Sequence, residues 1–426
     1  MQIHVVQPGQ TLFGIAQAYS TNQSDIIEAN DIPNPNRLVV GQTLVIPIVG
    51  SFYWVQRGDS LFSISQRFNI SYQDLANINR IPLNRPLQMG TRLYIPPRPK
   101  RNAEFNAYVE PRGAVTQTLE NSAREAAPYL TYLSPFSFRA NRDGTLTEPP
   151  LNNFPAIAQT NNNVLVMVIT NIENDQFSDE LGRILLNDET IQNRLLNNIV
   201  STANRYGFRD IHFDFEFLRP EDREAYNRFL RRAKERFSQQ GWLLSTALAP
   251  KTSAEQKGKW YEAHDYRAHG EIVDFVVIMT YEWGYSGGPP MAVSPIGPVR
   301  DVLEYAVTEI PSQKILMGQN LYGYDWTLPY QAGTQARAVS PQQAIELAAR
   351  FNVAIQYDYN AQAPFFNYTD ENGRQHIVWF EDARSIQAKF NLIKELNLRG
   401  MSYWKLGLAF PQNWLLIVEN FNVTKR

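Results

Sequence analysis

Residues 207–218 read Gly-Phe-Arg-Asp-Ile-His-Phe-Asp-Phe-Glu-Phe-Leu. From Asp210 the types alternate strictly. Asp210, His212, Asp214 and Glu216 take the even positions, and Ile211, Phe213, Phe215 and Phe217 the odd ones. Strand side chains alternate between faces, so this spacing predicts a strand with one apolar and one ionisable face. Asp214 and Glu216 then share a face, ~7 Å apart at a rise of ~3.3 Å per residue. Two carboxyls beside a glycosidic bond are the usual equipment of a glycoside hydrolase, and that separation alone suggests an inverting one. Carboxyls two residues apart on one strand approach a sugar from the same side, however. Neither is placed as a nucleophile on the opposite face, and a substrate acetamido group could supply one. The alternative reading is an antiparallel strand with a charged outer face.

Such a strand needs an element that covers its aromatic face and gathers other strand ends around its polar one. From residue 104 onward, apolar strand-like runs alternate with amphipathic stretches. The runs are Phe105–Glu110, Thr131–Phe136, Val164–Asn171, Asp210–Phe217, Leu243–Ala249, Val273–Glu282, Ile315–Tyr322 and Gly400–Gly407. Helix-like segments lie between them, such as Thr190–Tyr206, Glu221–Gln239, Gly297–Glu309 and Asp382–Asn397. Eight strands separated by helices predict an α/β fold, a (β/α)8 TIM barrel with its chemistry at the carboxyl ends of the strands. The long gap between runs seven and eight carries a helix, Pro341–Phe351. Strand-like Ala354–Tyr357, Phe365–Tyr368 and His376–Phe380 follow, the last two joined by the turn Asp370-Glu-Asn-Gly373. This predicts a small α+β insertion at about 325–380.

The first 97 residues hold an internal repeat at an offset of 49. Gly9 pairs with Gly58, Leu12 with Leu61, Ile15 with Ile64, Asn30 with Asn79, Gly41 with Gly90, and Ile46-Pro47 with Ile95-Pro96. Each copy reads as strand, two helices and strand, with Thr11 and Ser60 as helix N-caps. The proline-rich Pro96-Pro-Arg-Pro-Lys-Arg101 reads as a stiff extended linker. The expected division is 1–48, 51–97, a linker at 98–103, and the barrel over 104–426.

Net charge is −2, which gives no reason to expect nucleic acid as a partner. There are no cysteines, which excludes disulfides and thiol chemistry. No apolar run approaches the ~18 residues of a membrane span. Met1-Gln-Ile-His-Val-Val6 lacks a secretory pattern, so synthesis without a general export signal is expected. His264 and His269 lack zinc-site spacing, and no phosphate-binding glycine loop is present; no metal and no cofactor are expected. Aromatics make up 12% of residues, enough to fill a core and to stack on sugar rings as well.

The repeat resembles the LysM module, a small βααβ domain. The resemblance implies binding of N-acetylglucosamine-containing glycans, peptidoglycan or chitin. Its sugar-contacting loops fall on Gly9, Gln10, Thr11 and Leu12 with Asn36, Arg37 and Leu38 in the first copy. In the second they fall on Gly58, Asp59, Ser60 and Leu61 with Arg85, Pro86 and Leu87. Many of these residues would equally serve only to hold the fold, Gly9, Gly58 and the two leucines above all. Two tandem copies would add avidity.

The stretch at 209–216 resembles the Asp-x-x-Asp-x-Asp-x-Glu motif of glycoside hydrolase family 18. Its last two acids fall on Asp214 and Glu216. The resemblance implies Glu216 as general acid/base and Asp214 as the group that orients the substrate N-acetyl group for attack at C1. It implies Tyr281, in Met279-Thr-Tyr-Glu282, as the hydroxyl on the acetamido oxygen, and Trp404, in Gly400-Met-Ser-Tyr-Trp404, as the floor of the sugar site. Arg209 and His212 replace the motif's first two acids, and Asp210 is out of register. His212 is placed to partner Asp214, or simply to fill the barrel interior. Asn171, Gln319, Trp283 and Trp326 are further candidates to contact substrate.

The order of two LysM modules and a family 18 barrel, with no export signal, is similar to that of germination enzymes of spore-forming bacilli. This implies hydrolysis of N-acetylglucosamine bonds in spore cortex peptidoglycan or its fragments, in the cortex–coat region, with no cofactor. Glycan strands of the cortex are the expected partner, and a monomer is expected. A chitinase and a catalytically inactive glycan-binding coat protein are the alternatives.

Overall fold

The computed structural model describes residues 1–83 and 85–426. Eight parallel strands close into a barrel: Arg101–Val109, Tyr132–Pro135, Val164–Thr170, Asp210–Asp214, Leu243–Leu248, Phe275–Ile278, Ile315–Asn320 and Gly400–Trp404. Each pairs in parallel with the next, and the eighth returns to the first. The third, Val-Leu-Val-Met-Val-Ile-Thr, is buried along its whole length, as a strand covered on both faces must be.

The fourth strand is placed by what precedes it. Helix Glu189–Tyr206 starts at Asp188, whose carboxylate accepts from the backbone of Thr190 and Ile191. It stops at Gly207, whose φ of 83° is open to glycine at little cost. Three residues later the strand begins. Its odd side chains face helix Arg223–Ser238, where Phe213 meets Phe229 and Phe237 and Phe215 stacks on Tyr226.

Several strands end earlier than the sequence pattern suggests. The fourth stops at Asp214 rather than Phe217, the sixth at Ile278 rather than Glu282, and the eighth at Trp404 rather than Gly407. Phe217 and Glu282 both adopt positive φ, 54° and 66°, as the chain leaves the barrel. Phe217 therefore does not continue the packed aromatic face. It is 45% exposed.

The insertion is a five-stranded antiparallel sheet packed on helix Pro341–Arg350. Besides the expected segments it contains Gly323–Leu328 and Arg337–Val339, which have no clear alternation. Its first strand starts directly after barrel strand seven.

Each N-terminal repeat is a two-stranded antiparallel ladder with two helices. Thr11 and Ser60 cap their helices as expected. Asn30 and Asn79 each bridge the second helix to the closing strand by paired backbone hydrogen bonds. The first repeat is docked on the barrel. The Ile355 N–H donates to the Val40 carbonyl at 2.9 Å, and Gln342 donates to the Asp31 carbonyl. Val39 joins the insertion core and Val45 the barrel core. The second repeat is held to the first through Gln2 on Phe52 and the Tyr19–Trp54 contact. The expected linker at 98–103 is shorter than its composition suggests, because Arg101–Ala103 already pair with Phe421–Val423.

Candidate active site

A cavity of about 610 Å³ opens at the carboxyl ends of the strands, and Tyr108, Asp214, Glu216, Trp260, Tyr281 and Trp404 are among its lining residues. Asp214 is the last residue of strand four, and Glu216 lies two residues past it in the loop. Asn171 holds Glu216 in place: its Oδ1 accepts from the Glu216 N–H at 3.0 Å, and its Nδ2 donates to the Glu216 carbonyl at 2.9 Å. The carboxylate itself accepts from the Trp260 indole at 2.8 Å. Asp214 Oδ1 is buried with no hydrogen-bond partner among the described residues, a costly state unless something binds there.

Burial pushes both carboxyls up. Asp214 is raised first by desolvation and then by the charge of Glu216, while Glu216 is pushed up to about 7 against the pull of the Trp260 hydrogen bond. Two groups in this state favour holding at least one proton near neutral pH. Tyr281 sits beside them with its hydroxyl raised well above the usual range by burial, so it stays neutral and able to donate. Trp404, the last residue of strand eight, is set by edge contacts with Phe136 at 4.8 Å and Tyr108 at 5.5 Å.

Beneath Asp214 the barrel interior holds a hydrogen-bonded line. Asp210 accepts from the Ser245 hydroxyl at 3.0 Å. Ser245 is 2.8 Å from His212 Nδ1, and His212 Nε2 is 2.9 Å from the Tyr108 hydroxyl. With Ser245 donating to Asp210, His212 Nδ1 carries the proton and Nε2 accepts from Tyr108. Burial lowers His212 to about 3, so it is neutral, and raises Asp210 to about 7. His212 thus partners Tyr108 and Ser245 rather than Asp214, because both ring nitrogens are already engaged.

The family model for glycosyl hydrolases family 18 matches residues 108–409, and that for the LysM domain matches 4–47 and 53–96. The chain belongs to glycosyl hydrolases family 18. It is a glycosidase with two LysM domains. It is 73% identical to the cortical fragment-lytic enzyme of Bacillus subtilis (strain 168), across all of this chain and 99% of that protein. It is 57% identical to the enzyme of the same name from Bacillus anthracis, across the whole of both. The crystal structure of the Bacillus megaterium QM B1551 spore cortex-lytic enzyme SleL superposes with a TM-score of 0.93 at 60% identity, covering all of this chain and 99% of that one.

Of the residues expected to contact substrate in this family 18 barrel, several lie elsewhere. Trp326 is buried in the insertion with its indole on the Gly288 carbonyl. Gln319 is buried in strand seven and donates to Asn320. Asn171 is buried and spends both ends of its amide on Glu216 and a third bond on Ser178. Trp283 lines a neighbouring hollow with Trp260, Tyr281 and Glu282. Aromatic and amide residues near strand ends look alike in sequence whether they face the cleft or a neighbouring element.

In the LysM modules, Gly9, Gln10, Thr11, Asn36 and Arg37 are exposed, as are Gly58, Ser60, Arg85 and Pro86. Leu12 is buried in the core of the first module, where Leu38 also packs, and Leu61 and Leu87 pack in the second. Gln10 and Asp59 each accept from a backbone N–H of their own turn, of Gln7 and Gln56.

The strand pattern did not single out three cleft residues, two of which it placed inside expected strands. Trp260 lies in an irregular loop. Phe217 turns out of strand four and stacks on Trp260 at 5.9 Å with 4° between the rings. Glu282, also at a positive φ, accepts from the hydroxyls of Tyr322 and Tyr324.

Proposed function

We propose that this chain hydrolyses N-acetylglucosamine glycosidic bonds in spore cortex peptidoglycan or its fragments. The reaction retains configuration and uses the substrate's own acetamido group. Protonated Glu216 gives its proton to the glycosidic oxygen as the C1–O bond breaks, and the acetamido oxygen attacks C1 to form an oxazolinium ion. Asp214 orients the acetamido N–H and balances the positive charge that develops. Tyr281 donates to the acetamido oxygen, and Trp404 forms the floor under the sugar. Water then attacks C1 while the Glu216 carboxylate takes its proton, so that two inversions give net retention. The observation that carries this reading is the pairing of Asp214 and Glu216, buried together at the cavity and both raised by that burial.

The cortex as substrate is supported by two full-length relatives named cortical fragment-lytic enzymes and by the likeness to SleL. The same relatives support residence in the spore, which we place in the cortex–coat region. The LysM loops would hold glycan strands while the barrel cuts, each module weakly and the two together through effective concentration. A monomer suffices, because every group assigned a role in the reaction comes from one barrel. No helix among the described residues is long and apolar enough to cross a membrane.

The test is Glu216→Gln. Release of new reducing ends from cortex fragments is expected to fall by at least ~100-fold, with sedimentation of the protein on intact cortex unchanged. Undiminished cleavage by that variant would sink the assignment.

A further inference from the structure

The loop after barrel strand five, residues 249–264, contains neither helix nor strand. It nevertheless delivers one side chain to the centre of the cleft. Trp260 Nε1 donates to Glu216 Oε2 at 2.8 Å, while Oε1 has no hydrogen-bond partner among the described residues. The indole is fixed from outside by its parallel stack on Phe217, itself beside Phe177 at 6.5 Å.

The loop is tied down on both sides of Trp260. Lys259 reaches Asp179 at 2.7 Å, and Arg219 holds the same carboxylate. His264 closes the loop. Its Nδ1 accepts from the Ala249 N–H at 2.8 Å, and its Nε2 donates to the Phe215 carbonyl at 2.8 Å, one residue before Glu216. Loop and acid are thus registered to each other by a buried histidine as well as by the indole.

We propose that Trp260 is a positioning residue for the acid/base carboxyl: its indole N–H occupies Oε2 of Glu216 and so assigns the transferable proton to Oε1. This rests on reading Glu216 as the acid/base. In a neutral carboxyl the carbonyl oxygen is the better acceptor, so a fixed donor at Oε2 leaves the hydroxyl on Oε1. When the proton leaves for the glycosidic oxygen, the indole bond becomes charge-assisted and strengthens, so it favours the transition state over the ground state. The other titratable groups lining the cavity are Asp214 on its own segment, Tyr108 from strand one and Glu110 just past it, Asp175 after strand three, and Tyr281, Glu282 and Tyr285 after strand six. Tyr108 and Tyr281 are held neutral by burial, Glu110 is paired with Lys405 and Arg112, Asp175 with Arg139, and Glu282 is engaged by Tyr322 and Tyr324. That leaves Trp260 as the fixed donor to this carboxylate among the described residues.

The experiment compares kcat/KM against pH on soluble cortex fragments for the unaltered protein, Trp260→Phe, Phe217→Leu and Glu216→Gln. The alkaline limb reports loss of the acid's proton. The indole bond favours the carboxylate, so its removal raises the acid's pKa and moves that limb to higher pH. Trp260→Phe keeps a ring for the stack and loses the N–H. It is expected to lower kcat/KM by ~10- to 100-fold and to shift the limb upward by about half a unit or more. Phe217→Leu loosens the stack and keeps the donor, and its limb is expected to move less than that of Trp260→Phe. An inactive Glu216→Gln together with an unmoved limb in Trp260→Phe overturns the role of Trp260 alone. An active Glu216→Gln overturns the reading of Glu216 on which it rests.

Discussion

His212 stands where the family motif has an acid, and its surroundings explain how the barrel accommodates it. A buried aspartate there would share a proton with Asp214. A neutral imidazole instead passes hydrogen bonds from Tyr108 to Ser245 and on to Asp210. The nearest buried acid has moved one step down the strand, with a serine and a histidine between it and the cleft. His212→Phe would leave Tyr108 without its acceptor and Ser245 without its donor inside the barrel. Each stranded buried group costs about 1–3 kcal/mol, so the urea midpoint is expected to fall clearly. An unchanged midpoint would mean that the line carries no stability. At this scale the sequence was informative wherever alternation or a strand end marked a side chain. Asp214, Glu216, Tyr281 and Trp404 all line one cavity. It was silent on Trp260, because a loop has no period to read, and misleading on Trp326, whose ring looks like a cleft aromatic but fills the insertion.

The elements follow the same logic. The barrel was readable because its strands show as apolar or strictly alternating runs and the helices between them have one apolar face; the eight expected runs correspond to the eight strands. Their ends were not, because apolar pattern continues past the last ladder hydrogen bond. Residues 213, 215 and 217 are all phenylalanine. The first two pack under helix Arg223–Ser238, while Phe217 turns outward at a positive φ onto Trp260. Asn171 belongs to this scale as well. It lies just past strand three and clamps the backbone of the segment leaving strand four, so two neighbouring strand ends are fixed together at the carboxyl that the chemistry needs. The insertion was half-read: its helix and central hairpin carry period and turn signals, whereas Arg337–Val339 is three residues long.

Across the molecule, the repeat hides an asymmetry. Gly41 and Gly90 are equivalent in sequence and share φ values of 84° and 83°. A Cβ on Gly90 meets nothing within 4 Å, but one on Gly41 would lie 1.9 Å from the Ile355 carbonyl oxygen. The first module is therefore built into the catalytic body, and the second is carried on the first. Gly90→Ala is expected to cost only the left-handed backbone strain, about 1–2 kcal/mol, within its own module. Gly41→Ala bears that strain and also cannot seat on the insertion. Calorimetry is expected to show the first module melting separately from the barrel in that variant alone. One shared transition in both variants would show that the close seat at Gly41 is not what couples the module to the barrel.

Docked in this way, the first LysM module and the barrel share one packed body, and the proposed reaction fixes which bond of the glycan is cut. The direct measurement is mass spectrometry of cortex fragments digested in H2(18)O and reduced with borohydride. The account predicts that every new reducing end is N-acetylglucosaminitol, with water oxygen incorporated at its C1. New reducing ends on muramic residues, or no new reducing ends at all, would contradict it.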